Sequence, residues 1–344
     1  MKKIDDIIQK GTLILLAAAV LRLLCSGLLG NSFALFSQPQ LASFLIAAET
    51  GRDPVPSDST TPPETTLPPE TTLPPETTAP TEPEEPALAL PREPAVFTEA
   101  DIPFVEMTYG TKLRPDVEEL LLQPLDWDLT GDEPSILIIH THSTEAYTQT
   151  PDRQYEPMGG YYTTDDRYNV ISLGDELARL LEEAGLNVIH DRSNYELEDF
   201  NNAYDYSRKG VQEQLKKNPS IQMVIDLHRD AAQYADGTEW ATSATVDGEP
   251  SAQVMFVVGS SGTGLNHPNW QTNLSIAEKL KVQMDRICPG VARPINLRAA
   301  RFNHDLAMGA LIAEIGSAGN THEEAMRAIP VLAETIIALT KGAN

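Results

Sequence analysis

An apolar run that ends in chemically active side chains is the feature that most constrains the fold of this chain. Ile136–Ile139 is a four-residue aliphatic run, and it is followed closely by His140, His142 and Glu145. Continuous aliphatic runs of this length are typical of strands that are buried on both faces, as in parallel sheets. Two residues separate His142 from Glu145, a spacing that lets an imidazole and a carboxylate bind one divalent ion. The segment therefore predicts a buried strand with a candidate metal site at its carboxyl end.

Strand-like and helix-like patterns alternate along the rest of the chain. Apolar residues recur at helical spacing in four stretches and form short aliphatic runs between them. We predict helices over 168–184, 204–217, 272–287 and about 321–340, strands over 186–189, 223–227 and 311–315, and a hairpin over 240–258 around Asp247-Gly248. Strand, helix and strand at such short intervals indicate an α/β fold whose central sheet is mostly parallel and flanked by helices. In such folds, ligands bind at the carboxyl ends of the strands.

Two further predicted strands bring residues that could join the same site. His228 follows one of them, and Glu314 lies within the last. Two histidines, one carboxylate and an open fourth position form the coordination of a catalytic zinc, which activates water for hydrolysis. We therefore expect His142, Glu145 and His228 to bind the metal. Glu314, whose neighbours are aliphatic, is then the candidate general base, because burial raises the pKa of a carboxyl group toward neutrality.

Each of these side chains also has a structural interpretation. A histidine at the end of a strand often only forms a hydrogen bond, Glu145 could cap a following helix, and Glu314 could pair with an arginine. His140 is interpreted as a supporting residue rather than a ligand. Arg229 could bind a substrate carboxylate, or it could form an ion pair with Asp230.

Composition narrows the classes of partner and metal site. The chain has 50 acidic and 25 basic residues, a formal net charge of −25. Nucleic-acid binding rests on clustered lysine and arginine, so we expect no nucleic-acid partner. Cys25 and Cys288 are the only cysteines in the sequence. They exclude a disulfide framework and a cysteine-based zinc site, so any metal must be held by histidine and carboxylate.

The first fifty residues predict a membrane anchor. We assign residues 1–10 to a cytoplasmic N-terminus, 11–30 to a single transmembrane helix and 31–50 to a juxtamembrane segment. The apolar run is about long enough to cross a bilayer at ~1.5 Å per residue, and Arg22 lies off-centre, where it could snorkel. Lysines precede the run, which favours an N-terminus inside and an extracytoplasmic domain. A cleaved signal peptide and a helix lying on the membrane are the alternatives.

Residues 51–98 contain proline-rich near-repeats such as Thr65-Thr-Leu-Pro-Pro-Glu70. This composition cannot bury enough apolar surface to fold, and its prolines favour an extended conformation at ~3.1 Å per residue. We predict a disordered stalk that could place the following domain, residues 99–344, on the order of 100 Å from the membrane. Such a reach suits an enzyme acting within a thick extracellular polymer, although a binding segment is an alternative.

Several motifs, taken together and in order, resemble those of the stage II sporulation protein P family. The resemblance covers roughly residues 100–342. Its motifs are His140–Tyr147, Tyr206–Lys209, Val224–Asp230, Phe256–Gly259, Asn303–Leu306 and Ala313–Gly316.

The resemblance implies a membrane-anchored peptidoglycan hydrolase that acts during engulfment of the forespore in endospore-forming bacteria. Its expected activities are those of an N-acetylmuramoyl-L-alanine amidase and an endopeptidase. The expected fold is that of the zinc-dependent cell-wall amidases, which are related to the metallocarboxypeptidases. The expected partners are stage II sporulation protein D, a lytic transglycosylase, and stage II sporulation protein M, a membrane protein.

The resemblance also assigns roles to residues. It implies that the three candidate ligands bind Zn²⁺ and that Glu314 is the catalytic acid and base. Glu156 and Glu176 are rivals to Glu145, because the wider amidase superfamily takes its carboxylate ligand later in the sequence. His304, a candidate proton donor, stands where the family has glutamine. The alternative functions are a metallocarboxypeptidase-like peptidase, which would trim one terminal residue, and a catalytically silent wall-binding scaffold.

Overall fold

The computed structural model describes residues 89–234 and 237–344. The predicted N-terminus, transmembrane helix and juxtamembrane segment, and most of the predicted stalk, lie outside these residues. Among the residues that are described, no helix has both the length and the apolar character needed to cross a membrane.

The described part of the chain contains nine strands and five α-helices. The strands are β1 Met107–Gly110, β2 Ile136–Ile139, β3 Val188–His190, β4 Met223–Asp230, β5 Ala244–Val246, β6 Glu249–Ser251, β7 Val254–Gly259, β8 Ile295–Arg298 and β9 Ala310–Ser317. The helices are α1 Val117–Leu122, α2 Val170–Glu183, α3 Ala203–Lys217, α4 Trp270–Ile287 and α5 His322–Ala338.

Seven of these strands form one sheet in the order β1-β8-β7-β9-β4-β2-β3. Neighbouring strands are parallel at every pair except β7 and β9, which are antiparallel. The prediction of an α/β fold with a mostly parallel sheet is therefore confirmed. The exception has a simple origin: a hairpin rather than a helix leads into β7, so no crossover helix imposes its direction.

Local signals explain where the elements begin and end. The Asn169 side chain caps α2 by accepting a hydrogen bond from the Ile171 N–H, and Gly185 ends the helix with a φ of 94°. The β5–β6 hairpin turns at Asp247 and Gly248, which both have positive φ as this two-residue turn requires. The predicted hairpin is thus confirmed at its turn, but β7 lies in the main sheet rather than in the hairpin.

The folded domain begins earlier than the predicted boundary at residue 99. The Ala95 N–H donates a hydrogen bond to the Gly342 carbonyl, and Phe97 is buried in the main hydrophobic core. The last residues assigned to the stalk therefore belong to the domain. Phe97 stabilises this attachment because burying an aromatic side chain contributes ~2 kcal/mol or more.

Helix α4 is buried on all sides between residues 273 and 282. Glu278 in this helix is 0% exposed, and within the described part of the chain neither of its carboxylate oxygens has a hydrogen-bond partner. Burial raises the pKa of Glu278 to about 8, although the neighbouring Lys279 opposes the shift. The folded state therefore favours the protonated carboxyl group, and ionising it costs stability.

This burial gives a pH-dependent prediction. The folded-state pKa of Glu278, about 8, exceeds the ordinary value of 4.5. Below pH 4.5 the side chain is protonated in both states and costs no folding stability. As the pH rises to about 8, ionisation favours the unfolded state and the free energy of unfolding falls. We expect Glu278→Gln, which imitates the protonated form, to match the wild type near pH 5. At pH 8 it should be more stable, by on the order of a few kcal/mol. Urea unfolding at both pH values measures this difference, and equal pH dependence in the two proteins would contradict it.

Candidate metal centre and catalytic site

The candidate residues meet at the carboxyl ends of β2, β4 and β9. Strand β4 runs three residues beyond its predicted end, so His228 lies within the strand and is paired in register with Glu314 of β9. The loop that follows β2 supplies His142 and Glu145. Parallel neighbours place these ends at one edge of the sheet, which is why residues far apart in sequence come together.

Glu145 and His228 are in direct contact. The Nδ1 atom of His228 lies 3.1 Å from Oε2 of Glu145, and the Arg229 backbone N–H donates to the same oxygen at 3.1 Å. Both side chains are buried. Burial would raise the pKa of Glu145, but His228, Arg229 and His142 together outweigh burial and hold the pKa below its ordinary value. Glu145 is therefore an ionised carboxylate held against an imidazole.

Asp226 approaches His228 from its other ring nitrogen. Its Oδ1 atom lies 2.8 Å from Nε2 of His228, although the angle is not that of a hydrogen bond. The Thr141 N–H and hydroxyl both donate to Asp226, at 2.8 and 2.6 Å. Burial opposes ionisation of Asp226, but His228 and Thr141 lower its pKa to about 2. Burial also disfavours a charged His228, yet Asp226 and Glu145 raise the pKa of this histidine well above its ordinary value.

His142 is oriented by a carboxylate that the sequence did not reveal. Its Nδ1 atom lies 2.8 Å from Oε2 of Glu196, a buried residue in the loop after β3. The other oxygen of Glu196 accepts hydrogen bonds from the Thr144 N–H and hydroxyl, both at 2.6 Å. Among the described residues, no group is hydrogen-bonded to Nε2 of His142, so the lone pair of this atom is available to a metal. The ring centroid of His142 lies 5.6 Å from that of His228. A carboxylate bound to the second nitrogen of a histidine is typical of metal centres.

Glu314 faces this group from β9 and is incompletely partnered. Among the described residues, its Oε2 atom has no hydrogen-bond partner. Burial raises the pKa of Glu314 to about 8, and the nearby charge of Glu145 acts in the same direction, while His228 opposes both. A carboxyl group with a pKa near neutrality can accept and return a proton, as a general acid and base must.

The nitrogen and oxygen atoms of these side chains are suitable ligands for zinc. Two imidazoles and an ionised carboxylate are ligands that zinc prefers. Each imidazole also has a further carboxylate beside one ring nitrogen, Glu196 for His142 and Asp226 for His228. Across the described ranges, no three histidine, cysteine or acidic side chains are arranged so that they could already hold a metal ion. His228 instead forms its hydrogen bond to Glu145, with a proton between the two prospective ligands.

Arg229 is buried beside Glu145. Its guanidinium is 2% exposed and donates to the carbonyls of Ala146 and Tyr161, at 2.9 and 3.0 Å. The guanidinium also lies 3.9 Å from Oε1 of Glu145, and the Arg229 backbone N–H donates to Oε2 of the same residue. The ion pair of Asp230 is with Arg293. Arg229 therefore positions Glu145 and the surrounding loops, and its contact with a substrate carboxylate stays a prediction.

The remaining candidates lie outside the contact between Glu145 and His228. Glu176 is on α2 and pairs with Arg179, and Glu156 is exposed. His140 is fully buried and has both ring nitrogens engaged, which agrees with a supporting role. His304 is also buried, and its Nδ1 atom accepts a hydrogen bond from the Gly259 N–H.

The hydrogen bond between Glu196 and His142 leads to a testable prediction. We expect Glu196→Ala to free the His142 ring and to weaken metal binding and turnover by about 10- to 100-fold. Glu182→Ala, at an exposed position on α2, is the control and should leave both quantities unchanged. Isothermal titration with zinc and a wall-digestion assay measure the two effects. Equal behaviour of the two variants would show that Glu196 does not support a ligand.

The sequence was compared with protein families and with curated proteins. The family model described as Stage II sporulation protein P matches residues 35–337. The protein named Stage II sporulation protein P of Bacillus subtilis (strain 168) is 30% identical over 216 residues, which cover 60% of this chain and 51% of that protein. The chain thus spans about half the length of this curated relative.

Solved structures of cell-wall amidases are similar at lower levels. The N-acetylmuramoyl-L-alanine amidase AmiC2 of Nostoc punctiforme is 14% identical, with a TM-score of 0.35, and covers 60% of this chain and 97% of its own. The amidase Ami1 from Mycobacterium smegmatis is 13% identical, with a TM-score of 0.37, and covers 61% of this chain and 96% of its own.

Proposed function

The chain belongs to the stage II sporulation protein P family, and from this premise we propose that it is a peptidoglycan hydrolase of spore formation. Its proposed activities are N-acetylmuramoyl-L-alanine amidase and endopeptidase. The observation that supports this most is the contact between Glu145 and His228, with His142 and Glu314 beside them at one sheet edge. These groups are the set that hydrolysis of an amide requires.

In this proposal, His142, Glu145 and His228 would hold Zn²⁺. Zinc, when bound, supplies a Lewis acid that polarises the scissile carbonyl. Metal binding would replace the proton that lies between Glu145 and His228. Glu196 is hydrogen-bonded to Nδ1 of His142, and Asp226 lies 2.8 Å from Nε2 of His228, so each histidine has a carboxylate at one ring nitrogen.

Glu314 performs the proton transfers. Its buried carboxylate takes a proton from the attacking water and returns it to the leaving amine. The Oε2 atom, which lacks a partner in the described structure, is the atom free to do so. Burial of the carboxyl group and the nearby charge of Glu145 keep both protonation states accessible near neutral pH.

The carboxypeptidase alternative needs a cation in the open cleft that binds the terminal carboxylate of a peptide. Arg229, which the sequence suggested for a substrate carboxylate in the amidase mechanism, has a buried guanidinium bonded to backbone carbonyls. The family match, and not this residue, supports the amidase assignment over trimming of a terminal residue.

The proposal includes a cellular setting. Residues 11–30 would anchor the chain as a single span, and the catalytic domain would act outside the cytoplasm during engulfment. A chain with a net charge of −25 is poorly suited to bind an anionic wall unaided. This supports, as the family resemblance implies, cooperation with stage II sporulation proteins D and M.

Digestion of purified peptidoglycan by the full chain tests the proposed activity. Mass spectrometry of the soluble products should find intact stem peptides whose terminal L-alanine amine is free. Release of single amino acids would instead identify a carboxypeptidase. Binding to the wall without any released product would identify a scaffold.

A further inference from the structure

Two consecutive residues in the loop before β9 have left-handed backbone conformations. Phe302 has a φ of 51° and Asn303 a φ of 60°, and neither is a glycine. Such a conformation costs free energy, most of all for a bulky side chain such as phenylalanine, and it persists only where the surrounding structure holds it. The contacts that hold it include those of the Asn303 side chain, which no step of the proposed mechanism uses.

The Asn303 carboxamide joins this loop to helix α3. Its Nδ2 atom donates to the Tyr204 carbonyl at 2.8 Å and to the Ser207 hydroxyl at 3.2 Å. Its Oδ1 atom accepts a hydrogen bond from the Arg208 guanidinium at 3.3 Å. Arg208 also donates to both carboxylate oxygens of Asp305 in the same loop, at 2.8 and 2.7 Å. The orientation of the carboxamide is therefore fixed, because the carbonyl can pair only with its nitrogen and the guanidinium only with its oxygen.

Ser207 is buried and continues these contacts toward the candidate metal centre. Its Oγ atom lies 2.9 Å from Oγ1 of Thr141, and the Thr141 hydroxyl lies 2.6 Å from Oδ2 of Asp226. Asp226 in turn lies 2.8 Å from Nε2 of His228. An unbroken series of contacts, each 3.2 Å or shorter, thus leads from Asn303 to a candidate ligand of the metal.

The hydrogen atoms of this series have one consistent direction. An ionised Asp226 only accepts, so the single hydroxyl hydrogen of Thr141 points to it. Oγ1 of Thr141 can then accept, and the hydroxyl hydrogen of Ser207 points to that atom. The Tyr204 carbonyl, another acceptor near Ser207, is farther away at 3.4 Å and already accepts from Asn303. Because Ser207 accepts from Asn303 in return, each group polarises the next and strengthens its hydrogen bond.

We propose that Asn303 is a positioning residue for the metal centre, acting through Ser207 and Thr141 on Asp226. Within the described residues, the hydrogen bonds to the Asp226 carboxylate come from Thr141 alone. The direction of the Thr141 hydroxyl therefore determines how this carboxylate is held beside the ring of His228. The inference rests on the proposed function and deepens it, since it gives a role in metal binding to a loop that supplies no ligand.

Asn303→Asp tests the series while the shape of the side chain is kept. An aspartate tolerates the left-handed conformation but cannot donate, so the Ser207 hydroxyl turns toward it and Thr141 loses its donor. We expect the full chain to bind zinc about tenfold more weakly, as measured by calorimetry. Asn201→Asp, which adds the same charge at an exposed position just before α3, is the matched control. Unchanged zinc binding in Asn303→Asp, or an equal loss in Asn201→Asp, overturns the inference.

A double variant separates this role from a general loss of stability. Thr141→Val keeps the shape of the side chain but removes the hydroxyl that links Ser207 to Asp226. If Asn303 acts through that hydroxyl, Thr141→Val with Asn303→Asp should bind zinc as tightly as Thr141→Val alone. Losses of affinity that multiply in the double variant overturn the inference. Thr141→Ser retains the hydroxyl and should bind zinc more tightly than Thr141→Val, and equal affinities of these two variants overturn it as well.

A measurement without zinc distinguishes this inference from the proposed function. The ¹⁵N resonances of the His228 ring in the metal-free full chain report the surroundings of its two nitrogen atoms. We expect these resonances to shift in Asn303→Asp and to stay unchanged in Asn201→Asp. Unshifted resonances in Asn303→Asp overturn the inference. Shifted resonances in a chain whose wild type binds no zinc would refute the proposed metal centre and support the positioning of His228 by Asn303.

Discussion

Glu314→Gln is expected to abolish measurable wall hydrolysis, with turnover reduced by about 10³-fold or more, while zinc stays bound. Glutamine has nearly the same shape, but it cannot take a proton from water at neutral pH. Glu314 is placed opposite His228 across β4 and β9, and its Oε2 atom is free among the described residues. The substitution therefore removes the proton acceptor without removing a ligand. Single-turnover release of stem peptides and metal analysis of the same preparation measure the two effects.

Glu176→Gln is the control for this experiment. Glu176 pairs with Arg179 at the protein surface, so its amide variant should digest the wall at the wild-type rate. Retained turnover in Glu314→Gln would remove Glu314 from the mechanism. Loss of zinc together with turnover would instead make Glu314 a ligand.

His228→Ala is expected to abolish both zinc binding and hydrolysis, and to destabilise the domain by about 3–5 kcal/mol. The imidazole lies between two buried carboxylates, with Glu145 at 3.1 Å and Asp226 at 2.8 Å. Its removal takes away the positive charge that the two carboxylates share, and only Glu145 keeps a nearby cation among the described residues, Arg229 at 3.9 Å. Thermal unfolding and zinc titration of the full-length variant measure both consequences.

A double variant separates the loss of charge compensation from the loss of a ligand. His228→Ala with Glu145→Gln removes one of the buried charges, so it should recover part of the stability without recovering zinc. His267→Ala is the control, because His267 is also buried but neither ring nitrogen has a partner among the described residues. If His228→Ala costs no more stability than His267→Ala, the described charge arrangement around His228 is wrong.

The sequence predicted the elements whose local signals agree with their tertiary setting. Strand β2 and helices α2 and α3 have nearly their predicted bounds. Each has a clear apolar period and a stop signal, such as Gly185 after α2. Strands β1 and β8 were not predicted, because they are as short as β2 but lack its continuous aliphatic run. The antiparallel pairing of β7 depends on the whole topology and has no local signature.

The site was predicted less completely than the fold. The strand-end rule pointed to His142, His228 and Glu314, because the edge of a parallel sheet gathers such residues. Glu196 was missed, since it lies in an irregular loop and reaches His142 only through the tertiary fold. Asp226 had a weak signal, because alternate residues of a strand share a face and Asp226 precedes His228 by two. The same alternation argues against Arg229 as a neighbour of His228 in the cleft.

Zinc content is the measurement that tests the account most directly. The full chain, purified without chelators, is analysed by mass spectrometry for metals beside His142→Ala and His228→Ala. We predict one zinc per chain in the wild type and none in either variant. A wild-type chain that binds no zinc when the ion is supplied, or variants that bind it as tightly as the wild type, would contradict the proposed metal centre.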